Sequence, residues 1–118
     1  MNPASDRPHH WVPNTNVFIS DSGDLIIQVE LSDLQKDDIE ITREGNTLQM
    51  VGHRRNAEFA SAKTILVHEM HSGPFESKLE LPPGFDLARS TSAYQNGLLR
   101  IEIPKEDTSQ PFQFPPRN

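Results

Sequence analysis

An antiparallel β-sandwich is the fold class this sequence predicts, and three observations carry that expectation. Apolar residues recur at every second position in several short runs, turn residues punctuate the chain about every ten residues, and no long stretch shows the 3.6-residue period of an amphipathic helix. The most explicit stretch is Ala93 to Lys105, AYQNGLLRIEIPK. Asn96-Gly97 is a pair that tolerates positive φ at both central positions of a type I′ hairpin turn. A two-residue loop there sets Gln95 opposite Leu98, Tyr94 opposite Leu99, Ser92 opposite Ile101 and Ser90 opposite Ile103. Leu99, Ile101 and Ile103 then share one face, and Arg100 and Glu102 share the other, so one side of the ribbon is dry. Pro104 removes a ladder donor and ends the strand. A hairpin with one apolar face is not stable alone in water, so the rest of the chain must supply a second layer.

Taken from the start, residues 1–15 are polar and interrupted by Pro3, Pro8 and Pro13, which predicts a short, flexible N-terminal arm. Trp11, with Val12, is the one feature there able to pin the arm to the body. From residue 16 the pattern becomes that of a folded domain, extending to residue 105. Val17 and Ile19 point one way and Phe18 the other, and Asp21-Ser22-Gly23-Asp24 turns the chain. Leu25, Ile27, Val29 and Leu31 alternate with Ile26, Gln28 and Glu30, a half-buried strand with one core face. Ser32 to Asp38 loses the period of two, and Ser32 is a candidate cap for a single helical turn. Ile39 and Ile41 restart the alternation, Glu44-Gly45-Asn46 turns, and Leu48 and Met50 return on the opposing strand. Residues 54–74 form a long connection that holds a β-branched run, Thr64 to His68, with no evident neighbour in its own chain. Phe75, Leu79 and Leu81 alternate with Glu76, Lys78 and Glu80 before Pro82-Pro83-Gly84 stops the strand. Residues 106–118 read as a flexible, proline-flanked C-terminal tail. The total is roughly eight short strands at the spacing of a sandwich.

Composition narrows the function. A chain of 118 residues suits one domain able to bury roughly two thirds of its unfolded surface. The net charge of −6 opposes a phosphate backbone, and no basic stripe interleaved with aromatics offsets it, so nucleic acid is not an expected partner. The absence of cysteine removes thiolate chemistry and fits a reducing, cytoplasmic setting. No apolar run approaches the roughly 18 residues of a membrane span, and the start lacks a signal-peptide core, so the protein is expected to be soluble, unexported and free of membrane partners. Neither a Gly-x-Ser-x-Gly elbow nor a Gly-Lys-Ser/Thr phosphate loop is present, so no catalytic residue, nucleotide or other cofactor is expected. His68-x-x-His71 is the best metal candidate, but residues three apart on a strand face opposite sides, and two solvated histidines are the preferred reading. Asp33, Asp37 and Asp38 read as a polar loop that bonds to its own turn, not as a cation site. No metal site is therefore assigned.

Taken together, these segments resemble the small heat-shock protein family, in particular its alpha-crystallin domain, from Trp11 to Lys105. The most specific piece is Ser92 to Lys105, close to the family pattern Ala-x-x-x-Asn-Gly-Val-Leu-x-Val-x-Ile-Pro-Lys. Leu31 with Asp38-Ile39, Gly45-Asn46-x-Leu48 with Gly52-x-Arg54, His68-Glu69 before Gly73-x-Phe75, and Leu81-Pro82 follow in the family's order. The resemblance implies an immunoglobulin-like β-sandwich and an ATP-independent holdase that binds unfolded or partly unfolded client proteins and keeps them from aggregating. It also implies a homodimer in which Ile65, Leu66, Val67, His68 and Glu69 form a strand that crosses to the partner and pairs with the edge at Val17, Phe18, Ile19 and Ser20. Pairing of that run within its own chain stays open as the alternative. In the tail, Phe112-x-Phe114 lies where the family has Ile-x-Ile, a plug for a groove beside Ile39, Ile41, Ser90 and Ser92 of a neighbouring subunit; a tail that docks nowhere is the other reading.

Departures from the family pattern shape these expectations. Ser32-Asp33 replaces the usual Pro-Gly, and Ser77 stands where an arginine usually follows the Phe of Gly-x-Phe. Ser90 stands where a larger aliphatic residue is usual, which makes the groove shallower or more polar. The long apolar N-terminal arm of the family is largely missing, so a dimer or small oligomer of modest chaperone activity is expected. The competing reading is a CS-domain-like adaptor or co-chaperone, a similar sandwich that binds one specific folded partner.

Overall fold

The period-two runs pair as two antiparallel sheets in the computed structural model, which describes residues 10–107. Seven strands form: β1 (Thr15–Ile19), β2 (Leu25–Glu30), β3 (Ile39–Glu44), β4 (Thr47–Arg54), β5 (Gly73–Glu80), β6 (Thr91–Gln95) and β7 (Leu98–Ile103). Their order is β1-β2-β7-β6 in one sheet and β3-β4-β5 in the other. One cluster joins the two layers, with Leu25, Ile27, Val29, Leu99, Ile101 and Ile103 on one side and Leu48, Met50 and Phe75 on the other. Each such side chain contributes about 1.5–3 kcal/mol when fully buried, which is why the alternation is strict along β7.

The hairpin register expected at Asn96-Gly97 is present, with Gln95 opposite Leu98, Tyr94 opposite Leu99 and Ser92 opposite Ile101. Asn96 and Gly97 have φ of 54° and 79°, as the turn requires. A Cβ on Gly97 would also lie 3.1 Å from the Cα of Ser32, because Leu31 N–H donates to Gly97 O at 2.8 Å. Tyr94 Oη donates to Leu31 O and accepts from Leu34 N–H. The turn and Tyr94 therefore fix the segment that follows β2.

Four expectations are corrected. Ser90 does not face Ile103: residues 87–89 close a 3-10 turn capped by Asp86, Ser90 N–H donates to Leu87 O, and β6 begins one residue later. Ile26 is 1% exposed although it alternates out of the core face; β2 is a central strand, and Phe18 and Glu102 flank Ile26 on the two sides. Ser32 caps no helical turn. Asp33 takes φ of 63°, the left-handed conformation open to a glycine at that place, and the 3-10 turn forms later, at Lys36–Asp38, where Gln35 N–H donates to the Asp38 carboxylate at 3.0 Å. Thr64 to His68 pairs with no strand of its own chain: residues 61–72 hold no ladder and bend at Leu66 and Met70. The polar connection also contains a four-residue helix, α1 (Ala57–Ala60), capped by the Asn56 side chain on Phe59 N–H.

The expected N-terminal arm lies largely among residues 1–9, outside the described residues, as do Phe112 and Phe114 of the tail. Trp11 does anchor its segment. Its backbone bridges Phe75 on the free side of β5, donating to Pro74 O and accepting from Glu76 N–H, and its indole N–H donates to Gly73 O at 3.1 Å.

Gly52 sits under β5 where nothing larger fits, since an added Cβ would lie 2.3 Å from Asp38 O and 2.4 Å from the Phe75 ring. Replacing it, Gly52→Ala, forces the backbone at Asp38 or the Phe75 ring to move and is expected to lower unfolding free energy by about 1–3 kcal/mol. A urea midpoint equal to that of the parent would contradict this packing.

Candidate interaction surfaces

Three surfaces carry apolar side chains that the fold leaves uncovered. The first is the edge at β1, which among the described residues pairs only with β2 and so presents a row of backbone donors and acceptors outside any ladder. Val17, Phe18 and Ile19 on that strand are all exposed. An edge with apolar rather than charged side chains invites another strand.

The second is the connection between β4 and β5. Ile65, Leu66 and Val67 are 53%, 89% and 70% exposed, and Met70 is exposed as well. Four large apolar groups within six residues form a patch that a folded chain normally buries. His68 packs its ring against Phe59 at 4.7 Å, while His71 stacks on Trp11 at 5.6 Å. The two histidines are thus held on different aromatic rings. Among the described residues no three His, Asp or Glu side chains converge as metal ligands. Glu69 is exposed between them.

The third is a groove of about 490 Å³ lined by Ile39, Ile41, Ser92, Ala93, Tyr94 and Leu99, with Lys36, Asp37 and Glu40 at its rim. It lies between β3 of one sheet and β6 of the other, where the sandwich edge opens. Ile39, Ile41 and Ser92 are brought together as expected. Ser90 is not among the lining residues, for the reason given by the 3-10 turn before β6. Ile39, Ile41 and Leu99 give it an apolar surface, and β6 contributes the small side chains of Ser92 and Ala93 beside the ring of Tyr94.

A residue that the sequence reading matched but gave no role is Arg54. It is buried, its guanidinium lies 4.3 Å over the Trp11 ring, and it donates to His71 O at 3.1 Å. It ties the end of β4 to Trp11 and to the start of β5. The pattern Gly52-x-Arg54 contained the signal, but charge alone suggests a solvated position, and only the docking of Trp11 covers it.

A sandwich of seven strands with this order, an open β1 edge and an exposed run between β4 and β5 belongs to a known class. The model of the Hsp20/alpha crystallin family matches residues 18–114. The chain belongs to that family, whose members are generally chaperones. It is similar to Small heat shock protein C2 of Rickettsia felis, 26% identical over 104 residues, which covers 88% of this chain and 67% of that protein. With Small heat shock protein C4 of the same organism it shares 26% identity over 98 residues, covering 83% of this chain and 60% of that protein. The chain thus spans about two thirds or less of the length of these curated relatives. In three dimensions it resembles a small heat-shock protein from Xylella fastidiosa with a TM-score of 0.78 at 23% identity, over 93% of this chain and 100% of that one. That likeness is one of fold. No helix among the described residues is long and apolar enough to cross a membrane.

Trp11 is the contact that holds the entering segment, so Trp11→Ala should lower unfolding free energy by about 3 kcal/mol or more, as for other buried aromatics. A loss under about 1 kcal/mol in chemical denaturation would show that the bridge to β5 contributes little.

Proposed function

We propose that the protein is an ATP-independent holdase, which binds partly unfolded polypeptides and suppresses their aggregation as a homodimer or small oligomer. Family membership supports this reading, and the observation that carries it here is the open edge at Val17, Phe18 and Ile19 together with the exposed run Ile65 to Val67. An unfolding client presents apolar side chains and unpaired strands. A sandwich with a free edge and an apolar groove covers both without chemistry, which agrees with the lack of any nucleotide or catalytic motif.

In this reading Ile65, Leu66, Val67, His68 and Glu69 form a strand on the β1 edge of a second copy. The same pairing in reverse buries the first copy's Val17, Phe18 and Ile19, so both exposed patches are satisfied at one symmetric interface. Such an interface is expected to bury roughly 1,200–2,000 Å² or more. Phe112 and Phe114 then dock the groove at Ile39, Ile41 and Ser92 of a neighbour. Residues two apart on an extended tail face the same way, and the flanking Pro111 and Pro115 favour that extension. Two buried rings gain about 3–6 kcal/mol gross, against about 1–2 kcal/mol for each ordered residue, so one tail binds weakly and several bind together. The Xylella protein of similar fold is described as having a distinct high order structure, which is the kind of assembly such tails can build.

Light scattering of a heat-aggregating client, without nucleotide, tests the activity. Suppression is expected, and none at several-fold molar excess would sink the holdase reading. The mode of assembly is tested separately by removing Ala57 to Met70. Solution mass should fall from dimer to monomer; an unchanged mass would rule out strand exchange.

A further inference from the structure

Arg54 closes the inner end of a second cavity, of about 510 Å³, between the end of β4 and the connection to β5. Its walls include Ala57, Phe59, Val67 and Met70, and Arg55, Asn56, His68 and Ser72 supply polar groups around them. The charges in the lining balance in number, Arg54 and Arg55 against Asp33 and Glu69. They do not balance in strength. Arg55, Asp33 and Glu69 are exposed and screened by water, whereas Arg54 is 9% exposed.

The guanidinium is under-satisfied. One nitrogen donates to His71 O and the plane rests on Trp11. Nε is enclosed without an acceptor, and among the described residues no carboxylate pairs with this side chain. A desolvated cation without an anion is costly, and a carboxylate placed against a guanidinium recovers that cost with charge-assisted hydrogen bonds. The apolar walls favour a hydrocarbon body behind the charged head, and the volume is that of a small-molecule site.

We propose that this cavity binds a small organic carboxylate carrying an apolar chain, with the head group on Arg54 and the chain along Phe59, Val67 and Met70. The site is distinct from the groove at Ile39 and Ile41, but it shares Val67, His68 and Glu69 with the run proposed above to pair with a second copy.

Trp11 is the single tryptophan and touches the Arg54 guanidinium, so its emission reports on the site. Titrating the full chain with octanoate should give a saturable change in that emission. Octanol, which keeps the chain but not the charge, and inorganic phosphate, which keeps the charge but not the chain, should each bind at least about tenfold more weakly. Arg54→Gln should weaken octanoate by about tenfold to a hundredfold. If that variant does not fold, Met70→Glu, a change at an exposed position on the cavity wall, should produce the same loss by adding a like charge. An octanoate response matched by octanol would leave only an apolar hole, and one matched by phosphate only a general anion site. Either result overturns the proposal, as does a folded variant that binds octanoate like the parent or the absence of a saturable change in the millimolar range.

Discussion

The pairing of β2 with β7 down the middle of the larger sheet is the constraint on which the rest of the molecule depends. Leu25 lies opposite Ile103, Ile27 opposite Ile101 and Val29 opposite Leu99, so six branched or γ-branched side chains project as one slab. A shift of one residue would turn all of them outward. The smaller sheet exists to cover that slab: Met50 and Phe75 are almost wholly buried against it, and the lack of a side chain at Gly52 leaves space for the Phe75 ring. These strands are far apart in sequence, so the core forms only when both ends of the domain meet.

Because the two central strands consume the strongest apolar runs, what remains at the rims is weakly covered. Among the described residues β1 lies beyond β2 with no neighbour on its far side, and β3 and β6 leave a groove between the layers. The far side of β5 is treated differently. Trp11 crosses it, fills its free donors and acceptors near Pro74 and Glu76, and shields Arg54 from water. One sandwich edge is thus closed by the chain's own entry segment while another is left open with apolar residues on it.

The departures from the family pattern also acquire physical content. Asp33 holds the left-handed backbone that the usual glycine would take without strain; an aspartate is among the few side chains that tolerate it. Ser77 is buried opposite Met50, so the smaller side chain is accommodated inside the layer.

The sequence by itself determined the strands, their alternation and the central hairpin, because those follow from a period of two and from the conformational tolerance of Asn96-Gly97, both local properties. It also marked the family through the order of short motifs. Only the tertiary structure decided that Ile26 is shielded by its neighbours, that Ser90 ends a 3-10 turn instead of entering the groove, and that Thr64 to His68 finds no partner at home. The same is true of Arg54, whose sequence neighbours His53 and Arg55 suggest a solvated cation. Its burial depends on Trp11, more than forty residues earlier in the chain, and contacts between segments that distant leave no period or spacing to read.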